Sequence, residues 1–509
     1  MGPAERENER LRADNQALRT TILSLEVTIS SLTSALKAQQ VAFEDQKKSF
    51  DKAIEELSSL QRRFLGPKPE KMPRPSDEIR RRRGTGADPD KTKAKRAENA
   101  RRKKNVRTER VDHRVADEKK TCPSCGGAKM SSVGKGRISQ QWEYVPGYFV
   151  CYEHVQETLA CVCGDYIVTA DPPARPFDNA KYGPRFIAHL IVAKCVDSIP
   201  LHRLEKRFDR LGINMSRSTM TDLFHRIAEE VAPLVEALFA AIITAEVVQA
   251  DETSIKIQDR EKRGFVWTFL TEHAVLYRFS ANRSGDTPRE LLGGTEGVLV
   301  VDGYSAYNRV TGVDGRTRAG CIAHCRRKFF EAKDMAPEAL EALELILDVY
   351  EVEHDAAERG ITGTKTHLEL RRARAGPVMD KFHAWLTAQK SLHPPRSKMG
   401  RAISYALKNW EPLTIFLDDA RVPVDNNKAE GALRVAALGR KNFLFVGHEQ
   451  AGKNLAGLYS LVATCRVHGV NPEEYLADVM MRLASTPTSQ IAELLPDCWT
   501  SLSSESARA

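Results

Sequence analysis

Apolar residues recur every seven positions along the first sixty residues. Leu11, Leu18, Leu25 and Leu32 take heptad position d, continued by Gln39, Gln46, Ala53 and Leu60. Position a holds Asn8, Asn15, Ile22, Ile29, Leu36, Phe43, Phe50, Leu57 and Phe64, so 13 of the 17 seam positions are apolar. No proline interrupts the run. Such a seam supercoils two helices; Ile at a with Leu at d favours a parallel pair, and Asn at a fixes register. Residues 1–65 are expected to form a dimerising coiled-coil helix. The alternative is a lone amphipathic helix laid on its own domain.

Further along, the period shifts between that of helices and that of strands. Phe186 to Lys194, Leu201 to Leu211 and Ser216 to Glu230 read as helices, with Gly212 in the turn and Ser216 as an N-cap. Helix, short Gly-containing turn, helix is the layout of a helix-turn-helix DNA reader, and equally of plain helical packing. After Ala245 strand patterns take over: Glu246 to Asp251, Thr253 to Ile257, Phe265 to Leu270 and Val275 to Phe279. A short helix, Pro288 to Leu292, precedes the strand Gly297 to Asp302. Helical periodicity returns over Pro337–His354, His367–Gln389 and Gly400–Leu417, and Asn442 to Val446 is strand-like.

Composition narrows the class. A chain of 509 residues, 41% hydrophobic and 28% charged, is an ordinary multidomain globular protein. Its most apolar stretch, Val231 to Val248, is broken by Pro233, Glu236 and Glu246, so no membrane span is expected. The opening MGPAERENER offers no apolar secretory leader. The net charge of +9 is local: between Gln61 and Arg110 stand 19 Lys/Arg against 7 Asp/Glu. That stretch holds Arg80, Arg81, Arg82 and Arg83, then Arg101, Arg102, Lys103 and Lys104, with prolines between. It lacks the apolar residues to fold alone and is expected to be a disordered linker that neutralises nucleic-acid phosphates.

Ten cysteines are too few for a disulfide scaffold, yet four stand in two close pairs: Cys122-Pro-Ser-Cys125-Gly-Gly and Cys161-Val-Cys163-Gly. Four thiolates presented from glycine-closed turns suit a structural, tetrahedral zinc. Cys151 reads as core. Cys321, His324 and Cys325 would share a helix face, but without a fourth ligand nearby they do not make a second metal site. Arg326, Arg327 and Lys328 after them, and Arg440 and Lys441 further on, read as phosphate contacts or as a solvated basic face, and Arg217 opens the second helix of the reader. Gly447 to Asn454 nearly matches a phosphate-binding loop but ends in Asn where the hydroxyl ligand is needed, so a glycine-rich turn is the better reading.

The chemistry is expected at the acids. Asp251 and Asp302 each end a strand that belongs in a sheet interior. Two such acids on neighbouring strands repel unless a divalent cation lies between them. Magnesium, with its hard oxygen ligands, fits that arrangement. Glu430, in Asp425-Asn426-Asn427-Lys428-Ala429-Glu430, supplies a third acid. With Asn427 as N-cap it would equally close a capping box.

Five motifs in order carry a resemblance: Gln-Ala-Asp251-Glu-Thr, Val-Asp302-Gly-Tyr, Ala-His324-Cys-Arg-Arg-Lys328-Phe, Asp425-Asn-Asn-x-x-Glu430 and Gly439-Arg-Lys-Asn. The chain resembles the large transposases of the insertion sequence 66 family, which also begin with a leucine-zipper-like region and a zinc module. The resemblance implies a DDE transposase with Asp251, Asp302 and Glu430 as catalytic acids and magnesium ligands, two Mg²⁺ per site. Cleavage would occur at the element's ends, followed by attack of the freed 3′-hydroxyl on target DNA. It further implies His324 among the DNA-facing residues, double-stranded DNA as partner, a homodimer or higher oligomer, small accessory proteins, and a cytoplasmic, nucleoid-associated bacterial protein.

The expected fold is α+β and multidomain. It comprises a coiled coil (1–65), basic linker (66–115), zinc module (116–170) and helical region (178–245). An RNase H-like α/β core (246–330 and 421–470) follows, split by a helical insertion (331–420), with a C-terminal segment (471–509). The competing functions are a zinc and coiled-coil DNA-binding regulator, a transposase without catalysis, and an RNase H-like nuclease without strand transfer.

Overall fold

A computed structural model describes residues 3–65, 72–83, 147, 149–160, 167–259, 263–312 and 314–500. Helix α1 (Pro3–Leu65) runs unbroken through the heptad region. At 1.5 Å per residue it is about 95 Å long. Its seam positions Leu18, Leu25, Ile29, Leu32, Leu36 and Phe43 are all exposed in the single chain. Helix α2 (Pro75–Arg83) follows. Strands β1 (Thr158–Ala160) and β2 (Ile167–Thr169) form a small antiparallel ladder.

Helices α3 (Pro184–Cys195), α4 (Leu201–Arg210), α5 (Arg217–Glu230) and α6 (Ala232–Ile243) form the helical region. Leu190, Leu204, Phe208, Met215 and Met220 fill the core of α3 to α5. Gly212, at φ 79°, turns the chain between α4 and α5. The Ser216 hydroxyl caps α5 by accepting from the Thr219 amide, as its position predicts.

The central sheet has the order β5-β4-β3-β6-β7. Strands β3 (Val247–Ile257), β4 (Arg263–Leu270) and β5 (Val275–Ser280) form an antiparallel meander. Helix α7 (Asp286–Leu292) leads to β6 (Val298–Val300), which with β7 (Thr317–Ala319) runs parallel to β3. Two expected strands around Asp251 are one continuous β3, because cross-strand pairs with β4 carry it past the polar Asp251–Ser254 stretch.

Helices α8 (Ile322–Ala332), α9 (Ala339–Glu358), α10 (Lys365–Leu370), α11 (Gly376–Gln389), α12 (Lys398–Lys408) and α13 (Trp410–Thr414) build the helical part, with a π-helical turn at Arg371–Ala375. Buried Arg371 fastens it: Nε and Nη2 each reach Glu353 at 2.7 Å, and Nη1 donates to the Val422 carbonyl at 3.0 Å. That contact sets the return of the chain towards α14 (Asn427–Phe443). The two-residue β8 (Phe445–Val446) pairs with the far end of β3. Helices α15 (Glu449–Val467) and α16 (Pro472–Arg482) close the chain, α15 packing on β5 with α6 beside it. No helix among the described residues is long and apolar enough to cross a membrane.

One part of the linker, expected to be disordered, is folded. Helix α2 lies on α9, with Ile79 only 1% exposed in the core shared by Phe329, Ile346 and Val349. Arg82 reaches Glu344 at 2.8 Å, Asp348 at 2.5 Å and Glu351 at 3.1 Å, and Arg83 reaches Asp355 at 2.5 Å. Local composition misses this because the countercharges lie some 260 residues away. Partly exposed ion pairs add little each, whereas burying an isoleucine contributes about 2 kcal/mol. Ile79→Asp is therefore expected to release α2 and to cost about 2–4 kcal/mol. Fast amide exchange over 72–83 with a lowered melting temperature is the expected reading; unchanged protection would contradict it.

Candidate active site

Three elements bring the acids together. Asp251 lies mid-β3, opposite Thr268 of β4. Asp302 lies two residues beyond the end of β6, next to β3 in the sheet. Glu430 sits in the first turns of α14, which packs on β3.

The junction is made by Asn426, 1% exposed. Its side-chain amide donates to the carbonyl of Ala250 at 2.7 Å, the residue before Asp251. Its backbone amide donates to Cys321 Sγ at 3.2 Å. The capping-box alternative for Glu430 is not formed: Asn426, not Asn427, is the N-cap, and the Asp425 carboxylate accepts from the Asn427 amide at 3.1 Å. Glu430 is thereby left pointing into an open cleft of about 280 Å³ lined also by Asp251, Glu252, Thr253, His324, Arg327 and Arg434. Asp302 is not among the lining residues, but its charge acts on both Asp251 and His324.

Electrostatically the cleft is overloaded with acid. Burial pushes the Asp251 carboxyl up to about 7, and the charges of Glu252, Asp302 and Glu430 add to the rise against the Glu252 amide, which donates to it at 2.8 Å. Burial holds the His324 imidazole below its usual pKa, opposed by Glu430 and Asp302. His324 Nδ1 and Glu430 Oε1 stand 3.7 Å apart, and both are buried without a hydrogen-bond partner. Among the described residues no three His, Cys, Asp or Glu close into a coordination shell as they stand. The donor set nevertheless fits a divalent cation: hard carboxylate oxygens, mutually repelling, one of them buried and unpartnered.

A pH dependence follows. Asp251 is protonated more readily in the folded chain than in the unfolded one. Its contribution to stability is therefore full below about pH 4 and is lost as pH rises through about 7. A cation held at Asp251 would have to displace that proton, so if Asp251 is a ligand Mg²⁺ affinity is expected to rise across pH 6–8, by up to about tenfold per unit below 7. The melting temperature measured with and without Mg²⁺ across this range should diverge as pH rises; parallel curves would contradict it.

The remaining sequence candidates are distributed unevenly. Arg327 faces the site, 3.4 Å from Glu430. Arg440 donates to the Ser254 carbonyl at 2.6 Å and Thr253 Oγ1 at 3.1 Å, bracing β3. Lys328 lies 4.7 Å from the Tyr405 ring centre. Lys441 is exposed, and Arg217 is exposed beside Glu205. Arg326 is corrected: it is 1% exposed and bound to Glu78 and the Pro73 carbonyl, so it is out of reach of DNA. Arg82 and Arg83 are likewise committed to α9. Arg81 is exposed; the side chain of Arg80, and Arg101, Arg102, Lys103 and Lys104, lie outside the described residues. Cys321 and Cys325 are buried free thiols. The near-match to a phosphate loop runs into α15, with Gly452 packed tightly against Phe279.

Sequence reading missed Glu252, Arg283, Tyr304 and Arg318. Arg318 Nη2 donates to the carbonyls of Asp302 and Tyr304, fixing the turn that presents Asp302. Glu252 and Tyr304 stand inside the quoted motifs, whereas nothing near Arg283 or Arg318 marks them.

Residues 179–454, which contain all three acids and their supports, match the family described as Transposase IS66 family. The chain belongs to the IS66 transposase family. Residues 460–496 match the IS66 C-terminal element, and 119–164 match the zinc-finger binding domain of transposase IS66. Cys122, Cys125, Cys161 and Cys163 fall in that last match and outside the described residues. Relatives come from Sinorhizobium fredii. The uncharacterized protein y4hP is 32% identical over 426 residues, covering 78% of this chain and 76% of its own. The uncharacterized protein y4jD is 32% identical over 414 residues, covering 77% and 80%. The uncharacterized protein y4qI is 27% identical over 480 residues, covering 89% and 83%. Membership of the IS66 family points to transposase activity, DNA as partner and a zinc-binding module.

Proposed function

We propose that this IS66-family chain is a DDE-type DNA transposase that cleaves DNA at the ends of its element and joins those ends to target DNA. The observation that carries the reading is that Asp251 of β3 and Glu430 of α14 line one cleft, with Asp302, on the turn after β6, close enough for its charge to act on Asp251. The strand order β5-β4-β3-β6-β7, with an antiparallel first half and a parallel second half, supports an RNase H-like core.

Asp251, Asp302 and Glu430 would hold divalent metal ions, which supply Lewis-acid activation of water or a 3′-hydroxyl and charge stabilisation at the scissile phosphate. The chain's own residues do the rest. Asn426 sets the distance of Glu430 from β3. Arg318 and the Tyr304 amide, which donates to Asp302 Oδ1 at 2.9 Å, hold the second acid in place. Arg327 and Arg434 line the cleft as cations and would neutralise phosphate oxygens. The exposed seam of α1 would pair two protomers, as bringing two element ends together requires. The zinc module and basic linker would bind the ends in the bacterial cytoplasm.

The test is a labelled duplex carrying the element's terminal repeat, incubated with full-length protein and Mg²⁺. Nicking at the repeat boundary followed by joining to a target plasmid is expected. Cleaved product that never joins would replace the reading with a nuclease. Binding without nicking, even with the element's accessory proteins added, would replace it with a DNA-binding protein.

A further inference from the structure

The buried cation of α8 takes its countercharge from the N-terminal side of the chain. Arg326 has a side chain only 2% exposed, and among the described residues the carboxylate paired with it is that of Glu78 in α2. Arg326 Nη2 donates to Glu78 Oε2, and Nη1 donates to the Pro73 carbonyl at 3.0 Å. Ile79, the next residue of α2, is buried in the core that Phe329 of α8 shares with Ile346 and Val349 of α9. The ion pair is thus one part of a packed junction.

The same helix meets the acid cleft. In the first two turns of α8, His324 and Arg327 line the cleft beside Glu430. Their Nδ1 and Nη2 atoms stand 3.7 Å and 3.4 Å from the Glu430 carboxylate. Cys321, the N-cap of α8, accepts from the Asn426 amide at 3.2 Å, where α14 begins. A second path runs through α9: the Arg326 charge acts on Tyr350, whose hydroxyl donates to Asp425, the residue before Asn426, at 2.8 Å.

A buried cation stripped of its partner is strongly destabilising, and the chain around it shifts to let it reach water. On α8 such a shift would carry His324, Arg327 and the Cys321 contact with it. We propose that Glu78 is a positioning residue: by neutralising Arg326 from α2, it holds α8 where His324 and Arg327 stand against Glu430. A segment of the N-terminal arm thereby completes the candidate active site, and docking of that arm and assembly of the cleft are one event. The bearing on catalysis rests on Asp251, Asp302 and Glu430 being the catalytic acids; the placement of α8 does not.

Full-length protein serves for two readings, amide exchange along α8 and cleavage of the terminal-repeat duplex. Glu78→Gln is nearly isosteric and leaves Arg326 buried without a countercharge. Exchange over 322–327 should quicken at least about tenfold while α15 keeps the parent's protection. Cleavage at saturating duplex should fall at least about tenfold, with duplex affinity within about twofold. Adding Arg326→Met removes the stranded cation, and both readings should return to within about threefold of the parent. Should Glu78→Gln fail to fold, Glu78→Asp, which draws the charge back by one methylene, decides in its place, with faster exchange in α8 again expected. The proposal falls if exchange quickens over 72–83 while α8 and cleavage hold, as for a helix that merely lies on the surface. It also falls if α8 and α15 lose protection together, if α8 loosens without slowing cleavage, or if the double variant does not recover. A parent protein that never cleaves would overturn the transposase reading instead, and exchange alone would then decide whether α2 positions α8.

Discussion

Asp302→Asn is expected to reduce metal-dependent strand cleavage at least about 10³-fold while leaving duplex affinity within about twofold. The substitution is nearly isosteric, and the amide oxygen of Asn still accepts from the Tyr304 backbone amide that Asp302 Oδ1 engages at 2.9 Å. Arg318 grips the carbonyl of residue 302, which is unchanged. The turn should therefore survive and only the charge be lost. On the proposed reading cleavage depends on that charge, because the acids would hold the cations that stabilise the in-line displacement at phosphorus. Binding depends on cations facing the phosphate backbone, which the substitution leaves alone. Single-turnover cleavage, with a parallel filter-binding measurement, separates the two. Retained cleavage would remove Asp302 from the site, and loss of binding alongside would show a folding defect instead.

The second large effect is expected at a residue that touches no substrate. Asn426→Ala should cost about 1–3 kcal/mol of stability, since it strands the buried Ala250 carbonyl that Asn426 Nδ2 satisfies at 2.7 Å. It should also lower cleavage by about 10²-fold, because α14 loses the bond that holds Glu430 at a set distance from Asp251. Asn426→Asp should be no better, as the carboxylate offers no donor to a carbonyl and adds charge to a cleft already crowded with acids. Thermal melts together with cleavage rates check this. A stability loss without a rate loss would mean that α14 is held in place by its apolar face, through Ala429, Leu433 and Ala436, and that the Asn426 bond to Ala250 adds stability without setting the position of Glu430.

These two residues mark the division between what was legible in the chain and what was not. The period of seven foretold α1, because a coiled-coil seam is a one-dimensional pattern. The helices after Tyr182 and the β3–β6 strands were legible for the same reason: burial on one face writes a period into the sequence. Asp251 and Asp302 could be singled out because each closes an apolar strand run. Glu430 was ambiguous between cap and acid, and an N-cap one residue earlier removed the capping box, placed by bonds from Asn426 to β3 and to Cys321.

Charge was the property most poorly read from sequence. Arg82, Arg83 and Arg326 belong to basic runs that look like phosphate contacts, yet their partners on α9 and α2 consume them. Glu252, adjacent to Asp251, looks like one more acid until Arg283 and Tyr307 close on it. By itself the sequence determined most of the helices and strands, which face of each is apolar, and which acids follow an apolar strand run, though Asp251 lies inside β3 rather than at its end. Those are local properties, set by residues within a turn or two. Only the tertiary structure decided which charges are free and which acids share a cleft. An ion pair or a buried hydrogen bond depends on distance in space, and its two ends here lie tens to hundreds of residues apart.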